Sequence, residues 1–518
     1  MLMKTGFLHL KDNVILRSDK NRSVIYFKNT HHKERILSSV GRNRSFDVIS
    51  PDIATAFYLM DGTRNFSTII SFVEEYFKLN QTQIENLEKE LISSFEIYYS
   101  ASENPWPHRK AQMDLSTILP NLKEISDFDL SANYLYYPHS FLLIPHMQCG
   151  VDCIYCYADK SHPHEPLSME MWESIIYDLA FKYKAQDISV SGGDFFLYPN
   201  WKDFVSLLAY YNYYPEIPTK TPLSYEDQVF LHKLGFGSYQ ISIDTFDDNL
   251  LSFSLNIKNP EKYRSDIIKS IENAERIGLD ISINSVQTRL TYRNLYTTMQ
   301  QLAIFSNIYR IGIDAIADSL YKTNISSIML QESDLDEFEH QLKLIELLFK
   351  GREIVLSLNR NPKWNGKDYS QSEIDYLNRN QCNGGRTGIV ILPDGSVTCC
   401  EELYWNKTYL LGNVKKQPLD AILLSEKRWK LIHPQQSDLT NDNPCKACEE
   451  KNFAKCNFER GKCWRDALKI YRKEHFPDPR CPHWKKNIST EANNRIHHKL
   501  VKYTRDYDHI LIQNVKEK

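Results

Sequence analysis

The chain has 518 residues, too many for one small core, and at about 100 to 200 residues per domain it should divide into several. Its 63 lysines and arginines nearly balance 66 aspartates and glutamates, which excludes a global field that would recruit nucleic acid or an anionic membrane. No apolar run approaches the ~18 residues of a membrane span, and "MLMKTGFLHLKDN" breaks its apolar residues too early for a signal peptide, so a cytoplasmic protein is expected.

Residues 1–100 hold short alternating stretches, "NVILRS", "SVIYFKN" and "FDVIS", that predict strands. Ser50 is placed to cap a first helix, with Pro51 in its first turn ahead of "DIATAFYLM", and Asp61-Gly62 is a turn signal that ends it. "FSTIISFVEEYF" and "QTQIENLEKELISSF" predict two further helices from their apolar spacing. From 101 to 134 the text is irregular, with Pro105, Pro107 and Pro120, and predicts a linker.

Residues 135–350 alternate strand-like and helical stretches: "SFLLIP", "MEMWESIIYDLAFKY", "DISVSGG", "DFVSLLAYY", "YQISID", "YRSDIIKSIENAERIG", "DISINSV", "NLYTTMQQLAIF" and "IYRIGIDAIA". That order predicts βα units around a parallel sheet, whose chemistry gathers at the carboxyl edge of the strands. Residues 375–485 are rich in cysteine and turns ("CNGG", "LPDGS", "CKAC"), which suits a small domain held by ligands. The tail 486–518 reads as a basic helix or a solvated surface element.

Eleven cysteines in a reducing compartment, none before residue 149, point to metal or redox chemistry over structural disulfides. Cys149, Cys153 and Cys156 lie on one loop after "FLLIP", with gaps of three and two residues that let their thiolates converge. Four thiolates fill an iron–sulfur cluster, so three leave one iron open. A zinc site completed by His146 or Asp152, or buried free thiols, is the alternative that spacing leaves standing.

The loop resembles the CxxxCxΦC signature of radical S-adenosylmethionine (SAM) enzymes, with Tyr155 in the aromatic position. The resemblance implies a partial (β/α)6 TIM-like barrel, a [4Fe–4S] cluster whose open iron chelates SAM, and one-electron cleavage to a 5′-deoxyadenosyl radical. "ISVSGGDFF" adds Gly192, Gly193 and Asp194 where this family usually has Gly-Gly-Glu. Glycines let the backbone approach a ligand, and an acid can pair with an ammonium. "YQISIDT" resembles the segment that puts polar groups on SAM, which nominates Ser242 and Asp244, with Asn284 in "ISINSV" as a further candidate. Each of these three could equally be a strand-end residue that satisfies backbone.

The remaining cysteines run Cys382-x12-Gly395-x4-Cys400, then Cys445-x2-Cys448-x7-Cys456-x6-Cys463, then Cys481, with Cys399 beside Cys400. This order resembles the SPASM extension of the same superfamily, although its inner loops are longer than the usual five and three residues. The resemblance implies two auxiliary [4Fe–4S] clusters, one on Cys445, Cys448, Cys456 and Cys481, the other on Cys382, Cys400 and Cys463 with Cys399 as a possible fourth ligand. A zinc ribbon on Cys445-x2-Cys448 is the alternative.

"VISPDIATAFYLMDGTRNFSTIISFVEEY" resembles the PqqD-like winged-helix element that grips the leader of a ribosomal precursor peptide. An exposed strand edge, Val24 to Phe27 or Phe46 to Ile49, set against the helix Thr82 to Phe95, is the expected grip. Together these resemblances imply an α/β enzyme that modifies a precursor peptide, with a crosslink (carbon–carbon, carbon–oxygen or thioether) as the favoured product. A flavodoxin or ferredoxin is the implied electron donor, and no residue that handles protons is assigned. A protein oxidase like the anaerobic sulfatase-maturing enzymes and a non-catalytic, zinc-stabilised peptide-binding scaffold are the competing expectations.

Overall fold

The computed structural model describes residues 2–20, 22–29, 45–105, 132–316, 319–322, 325–358, 376–377, 381–479, 481–482 and 510–513. Most of the expected linker and tail (106–131, 483–509 and 514–518) therefore lies outside the described residues. Two compact units divide the chain, Met1–His139 with Leu179–Asp187, and Ser140–Asp178 with Ile188–Lys518. Among the described residues no helix is long and apolar enough to cross a membrane.

The first unit runs α1 (Leu2–Thr5), β1 (Phe7–Leu10), β2 (Val14–Asp19), β3 (Arg22–Phe27), β4 (Asp47–Ile49), α2 (Pro51–Tyr58), β5 (Asp61–Asn65), α3 (Phe66–Phe77), α4 (Gln81–Ser94) and β6 (Tyr99–Ser102). Its strands form two three-stranded sheets, β5-β1-β6 and β2-β3-β4. Local chemistry sets the helix starts. The Asn65 side chain accepts from Thr68 N–H, and Asn80 and Gln83 make a reciprocal capping box that opens α4. Leu8, Leu16, Ile25, Ile69, Val73 and Leu91 form the buried core, each contributing roughly 1.5–3 kcal/mol on burial.

Three expectations for this unit are corrected. Asp61-Gly62 does not end α2, which stops at Tyr58; the Asp61 carboxylate takes the Thr63 N–H at 2.9 Å, and Gly62, at φ +85°, opens β5. Val24 to Phe27 is not an edge, because β3 pairs with both β2 and β4, whereas β4 lies at the end of its sheet. The helix set on that sheet is α2; α4 packs on α2 and α3 instead.

The second unit begins with β7 (Ser140–Leu143), α5 (Met169–Tyr177), β8 (Asp187–Val190), α6 (Trp201–Tyr210), β9 (Pro218–Thr219), α7 (Tyr225–Lys233), β10 (Ser238–Ser242), α8 (Asp248–Leu255) and α9 (Pro260–Ile277). It continues with β11 (Asp280–Gln287), α10 (Leu295–Leu302), β12 (Ile308–Ala315), α11 (Leu335–Leu348) and β13 (Ile354–Leu358). Strands β9 to β13 are parallel neighbours in sequence order, in register through Ile241↔Ile283 and Ile283↔Ile311. Ile281, Ile283, Ile311, Ile313 and Leu356 are buried, the near-continuous apolar run of a parallel sheet covered by helices. The sequence pattern missed β9 and α7: two residues are too few to show alternation, and "YEDQVFLHK" carries few apolar residues. The single helix expected over 169–183 becomes a π-helix at Asp178–Lys182.

A hairpin of β14 (Gly388–Ile391) and β15 (Ser396–Thr398), followed by β16 (Leu410–Asn413), extends a second sheet in the order β16-β15-β14-β7-β8. Its turn is the expected Asp394-Gly395, with Gly395 at φ +83°. Strand β14 pairs parallel to β7, Gly388↔Ser140 through Ile391↔Leu143, so the cysteine-rich segment and the strand before Cys149 share one sheet. Helices α12 (Leu419–Leu423), α13 (Glu426–Ile432), α14 (Glu450–Ala454) and α15 (Trp464–Tyr471) follow. From the tail, Ile510–Gln513 (β17) pairs antiparallel with β13. This stretch is a strand, which neither the solvated surface element nor the basic helix read for the tail anticipated, in keeping with β-branched residues at 510 and 512.

Candidate functional site

The Cys149, Cys153 and Cys156 loop leaves the carboxyl end of β7 and is held by backbone bonds to the end of α8: Asp152 N–H to Leu255 O at 3.1 Å and Ile154 N–H to Ser254 O at 3.0 Å. The Lys322 ammonium donates to Cys153 O at 2.6 Å. Ile144, Met147, Tyr404 and Trp405 form one apolar cluster that reaches Cys156, and Leu251, Leu255, Ile316 and Met329 another that includes Cys153, while Cys149 is exposed. The three thiols act on one another electrostatically, and burial pushes the Cys149 thiol up to about 11. Burial likewise raises Cys153, opposed by the Lys220 ammonium.

Gly192 and Gly193 follow β8. A Cβ on Gly192 would stand 2.4 Å from His146 O, and one on Gly193 2.0 Å from Gln148 O. Their missing side chains let β8 press against the end of β7, immediately before Cys149. Asp194 is 4 % exposed and its carboxylate is fully engaged. Oδ1 accepts from Thr219 Oγ1 at 2.7 Å; Oδ2 accepts from Lys220 N–H at 3.0 Å, Thr221 N–H at 2.8 Å and Thr221 Oγ1 at 2.7 Å. Four donors use about all the lone-pair sites a carboxylate has. Asp194 thus fixes residues 219–221 at the end of β9.

Lys220 is the functional residue that the sequence did not disclose. Its ammonium sits 2.9 Å from Asp244 Oδ2, with Lys220 15 % and Asp244 2 % exposed at the side chain. Asp244 also accepts from the Tyr155 hydroxyl and, at Oδ1, from Val286 N–H at 2.9 Å. Burial, the largest single influence, works against the charge on Lys220, but Asp244 together with Tyr155, Cys153 and Tyr263 outweighs it and holds the ammonium well above the ordinary lysine value. The aromatic residue of the cysteine loop is thereby tied to the end of β10 through a buried ion pair, and Tyr263 secures Lys220 O at 2.7 Å. Only the Thr-Lys-Thr run between Pro218 and Pro222 hinted at this site.

Ser242 ends β10, with Oγ 3.3 Å from Gln240 Nε2, and Asn284 lies on β11 with Oδ1 over Gly312, whose absent Cβ would come within 2.8 Å. His146 gives Nε2 to Asp194 O at 2.9 Å, and burial lowers its pKa. Asp152 is exposed and pairs with Lys160 and Lys322. Neither is drawn into the thiol set.

The C-terminal cysteines fall into neighbourhoods. Cys399 feels the charges of Cys382 and Cys463, and Cys400 those of Cys399 and Cys463, with burial the main cause of their raised pKa values. Gly384 is required where a Cβ would meet Cys399 O at 2.6 Å. Cys445 feels Cys456 and Cys448. Gln436 Nε2 ties Cys445 O and Cys448 O at 3.0 and 2.8 Å, and Tyr376 Oη is 3.2 Å from Cys456 Sγ. Cys481 donates its N–H to Asp478 O at 2.9 Å. Among the described residues no three His, Cys, Asp or Glu side chains converge on a single-ion site.

Residues 143–301 match the family model described as the radical SAM superfamily, and residues 382–449 match SPASM, an iron–sulfur cluster-binding domain. The chain is also similar to solved structures of Streptococcus suis SuiB. For SuiB bound to S-adenosylmethionine the identity is 16 %, the TM-score 0.62, and 92 % of this chain and 99 % of that one are covered. For SuiB bound to precursor peptide SuiA the values are 17 %, 0.64, 92 % and 99 %. No curated protein matches this chain. The cofactors of these two domains are S-adenosylmethionine and [4Fe–4S] clusters.

Proposed function

We propose that this protein is a radical SAM enzyme that modifies a ribosomally made precursor peptide. The observation that carries the reading is the placement of a three-cysteine loop at the carboxyl end of β7, in the same sheet as the β14–β15 hairpin whose last residue, Thr398, directly precedes Cys399 and Cys400. Support for a peptide substrate comes from the fold likeness to SuiB, a protein solved with a precursor peptide, which spans 92 % of this chain.

Cys149, Cys153 and Cys156 hold the first cluster, and Cys382, Cys399, Cys400 and Cys463, then Cys445, Cys448, Cys456 and Cys481, hold two auxiliary ones. When bound, the first cluster and SAM supply a 5′-deoxyadenosyl radical that abstracts hydrogen from the peptide. The chain's own residues prepare that chemistry. Gly192 and Gly193 set β8 against β7, Asp194 fixes residues 219–221, and Lys220 with Asp244 orients Tyr155 beside the loop. With Asp194 and Asp244 engaged as positioning residues, Ser242 and Asn284 are the side chains assigned to SAM. A crosslink is the assigned outcome, and a cluster held by the C-terminal cysteines would supply an acceptor for the electron that its formation releases. The leader adds a strand to the open edge of β4, the electron donor is a flavodoxin or ferredoxin, and the site of action is the cytoplasm.

The test is anaerobic reconstitution with iron and sulfide, then SAM, a strong reductant and the peptide encoded by a short reading frame beside the gene. The expected results are about twelve iron atoms per chain, 5′-deoxyadenosine, and a peptide lighter by two hydrogens. Reconstituted protein that yields no 5′-deoxyadenosine, with or without peptide, overturns the proposal.

A further inference from the structure

Within the second unit a cavity of about 330 Å³ opens between the first cysteine loop and segments that carry the C-terminal cysteines. Asp159 and His162 reach it from just after Cys156, Tyr321 from the stretch beyond β12, and Trp405 from the turn after Cys400. Leu468 and Arg472 come from α15, which starts directly after Cys463. Tyr321 and Trp405 belong to the apolar cluster that reaches Cys156, and Tyr321 also feels the charge of Cys400, so the cavity lies beside both cysteine sets.

Its walls are of two kinds. One is a run of rings: His162 stacks on Trp405 at 4.3 Å and 11°, Tyr404 follows at 5.9 Å, and Tyr321 stands edge-on to Tyr404 at 5.6 Å. The other is polar. The half-buried Asp159 carboxylate accepts from the Ser161 hydroxyl at Oδ1, at 3.0 Å, and among the described residues neither Asp159 nor the exposed Arg472 has an ion-pair partner. One carboxylate and one guanidinium cancel, so the cavity does not select an occupant by net charge. Its volume is at the small end of ligand cavities, which run from about 300 to 1,000 Å³, and admits one large side chain but not a folded segment. Rings favour another ring, a carboxylate oxygen in reserve favours an N–H or O–H on it, and a guanidinium lies well over a ring face.

A single kind of occupant meets all three conditions. We propose that this cavity seats an aromatic side chain with a polar tip, a tryptophan or tyrosine of the core peptide, whose N–H or O–H is donated to Asp159 and whose ring lies against Trp405 and Tyr321. The assignment rests on the peptide-modifying function proposed above. Phenylalanine would leave Asp159 without its donor, and lysine would put a second cation in the cavity with Arg472. Asp159 is thus the residue that specifies the tip, and Arg472 one that holds the ring.

The experiment titrates the N-acetyl amides of tryptophan, tyrosine, phenylalanine and lysine into the anaerobically reconstituted full chain, followed by saturation-transfer NMR, with iron counted in every sample. The tryptophan and tyrosine amides should bind about tenfold tighter than the other two, the effect of one hydrogen bond to a charged acceptor. Asp159→Ala should erase that advantage and leave the phenylalanine amide unchanged, whereas Arg472→Ala should weaken all three aromatic amides. Leu468→Trp, which fills the cavity, should abolish binding. A lysine or phenylalanine amide that binds as tightly as the tryptophan amide overturns the proposal, and this wild-type comparison does not depend on any variant folding. An Asp159→Ala protein with full iron that keeps the preference overturns it too. Protein that forms 5′-deoxyadenosine yet shows no preference among the amides refutes this site alone, whereas protein that binds the tryptophan amide and forms none refutes the function beneath it.

Discussion

Replacing Lys220 with methionine keeps the length of the side chain and removes the ammonium bonded to Asp244. In the intact site the carboxylate, 2 % exposed at the side chain, has the ammonium at 2.9 Å, the Val286 N–H at 2.9 Å and the Tyr155 hydroxyl. Stranding one charge of a buried pair costs about 3–5 kcal/mol. Two hydrogen bonds remain, and Lys220 retains some contact with solvent, so the lower end, about 3 kcal/mol, is expected. At about 2 °C per kcal/mol for a unit of this size, the unfolding midpoint should fall by roughly 6 °C. Adding Asp244→Asn removes the stranded charge, and the double variant should recover about 2 kcal/mol of the loss, a coupling that a mutant cycle isolates. The assay is anaerobic thermal unfolding of iron-loaded protein by circular dichroism. A single variant with an unchanged midpoint, or a double variant whose loss equals the sum of the single losses, refutes the account of the site.

Gly193→Ala should drive a methyl into Gln148 O, where the free distance is 2.0 Å, and lower iron by about four atoms per chain by displacing the first loop. Gly237→Ala, with nothing within 4 Å, should retain full iron by colorimetric assay. Asp47→Pro removes a backbone N–H from the end strand β4 and should weaken precursor binding at least tenfold by fluorescence anisotropy, without changing the 5′-deoxyadenosine formed from SAM alone. His146 is held below its ordinary value by burial, so on acidification through about pH 6.5 the unfolded chain takes the proton first and stability falls, by at most about 1.4 kcal/mol per pH unit. His146→Gln should flatten that acid limb in thermal melts between pH 7.5 and 5.5.

The local elements were largely readable from residue order. Helices α3 and α4 follow from apolar spacing and from caps such as Asn80 with Gln83, and the βα alternation from 140 to 315 follows from changes of period. The Asp394-Gly395 turn and the β-branched strands of the parallel sheet are equally local. Strand order was not readable: β3 and β4 look alike as sequences, and only their pairing decides which one has an open edge.

The cysteine gaps alone marked where three thiolates could gather, because the reach of a short loop is fixed by the chain. What those residues do beyond the thiols depended on tertiary structure. Asp194 and Asp244 read as acids near a cofactor, and the fold brings Thr219, Lys220, Thr221 and Tyr155 to them as hydrogen-bond donors. Lys462 and Arg465 are near neighbours in sequence, but folding pairs Arg465 with Glu402 and Asp466 and sets the Lys462 ammonium on His475 O. Periodicity is a property of adjacent residues, whereas the partner of a buried charge is set by contacts between residues far apart in the chain, and these exist only once the sheets have formed.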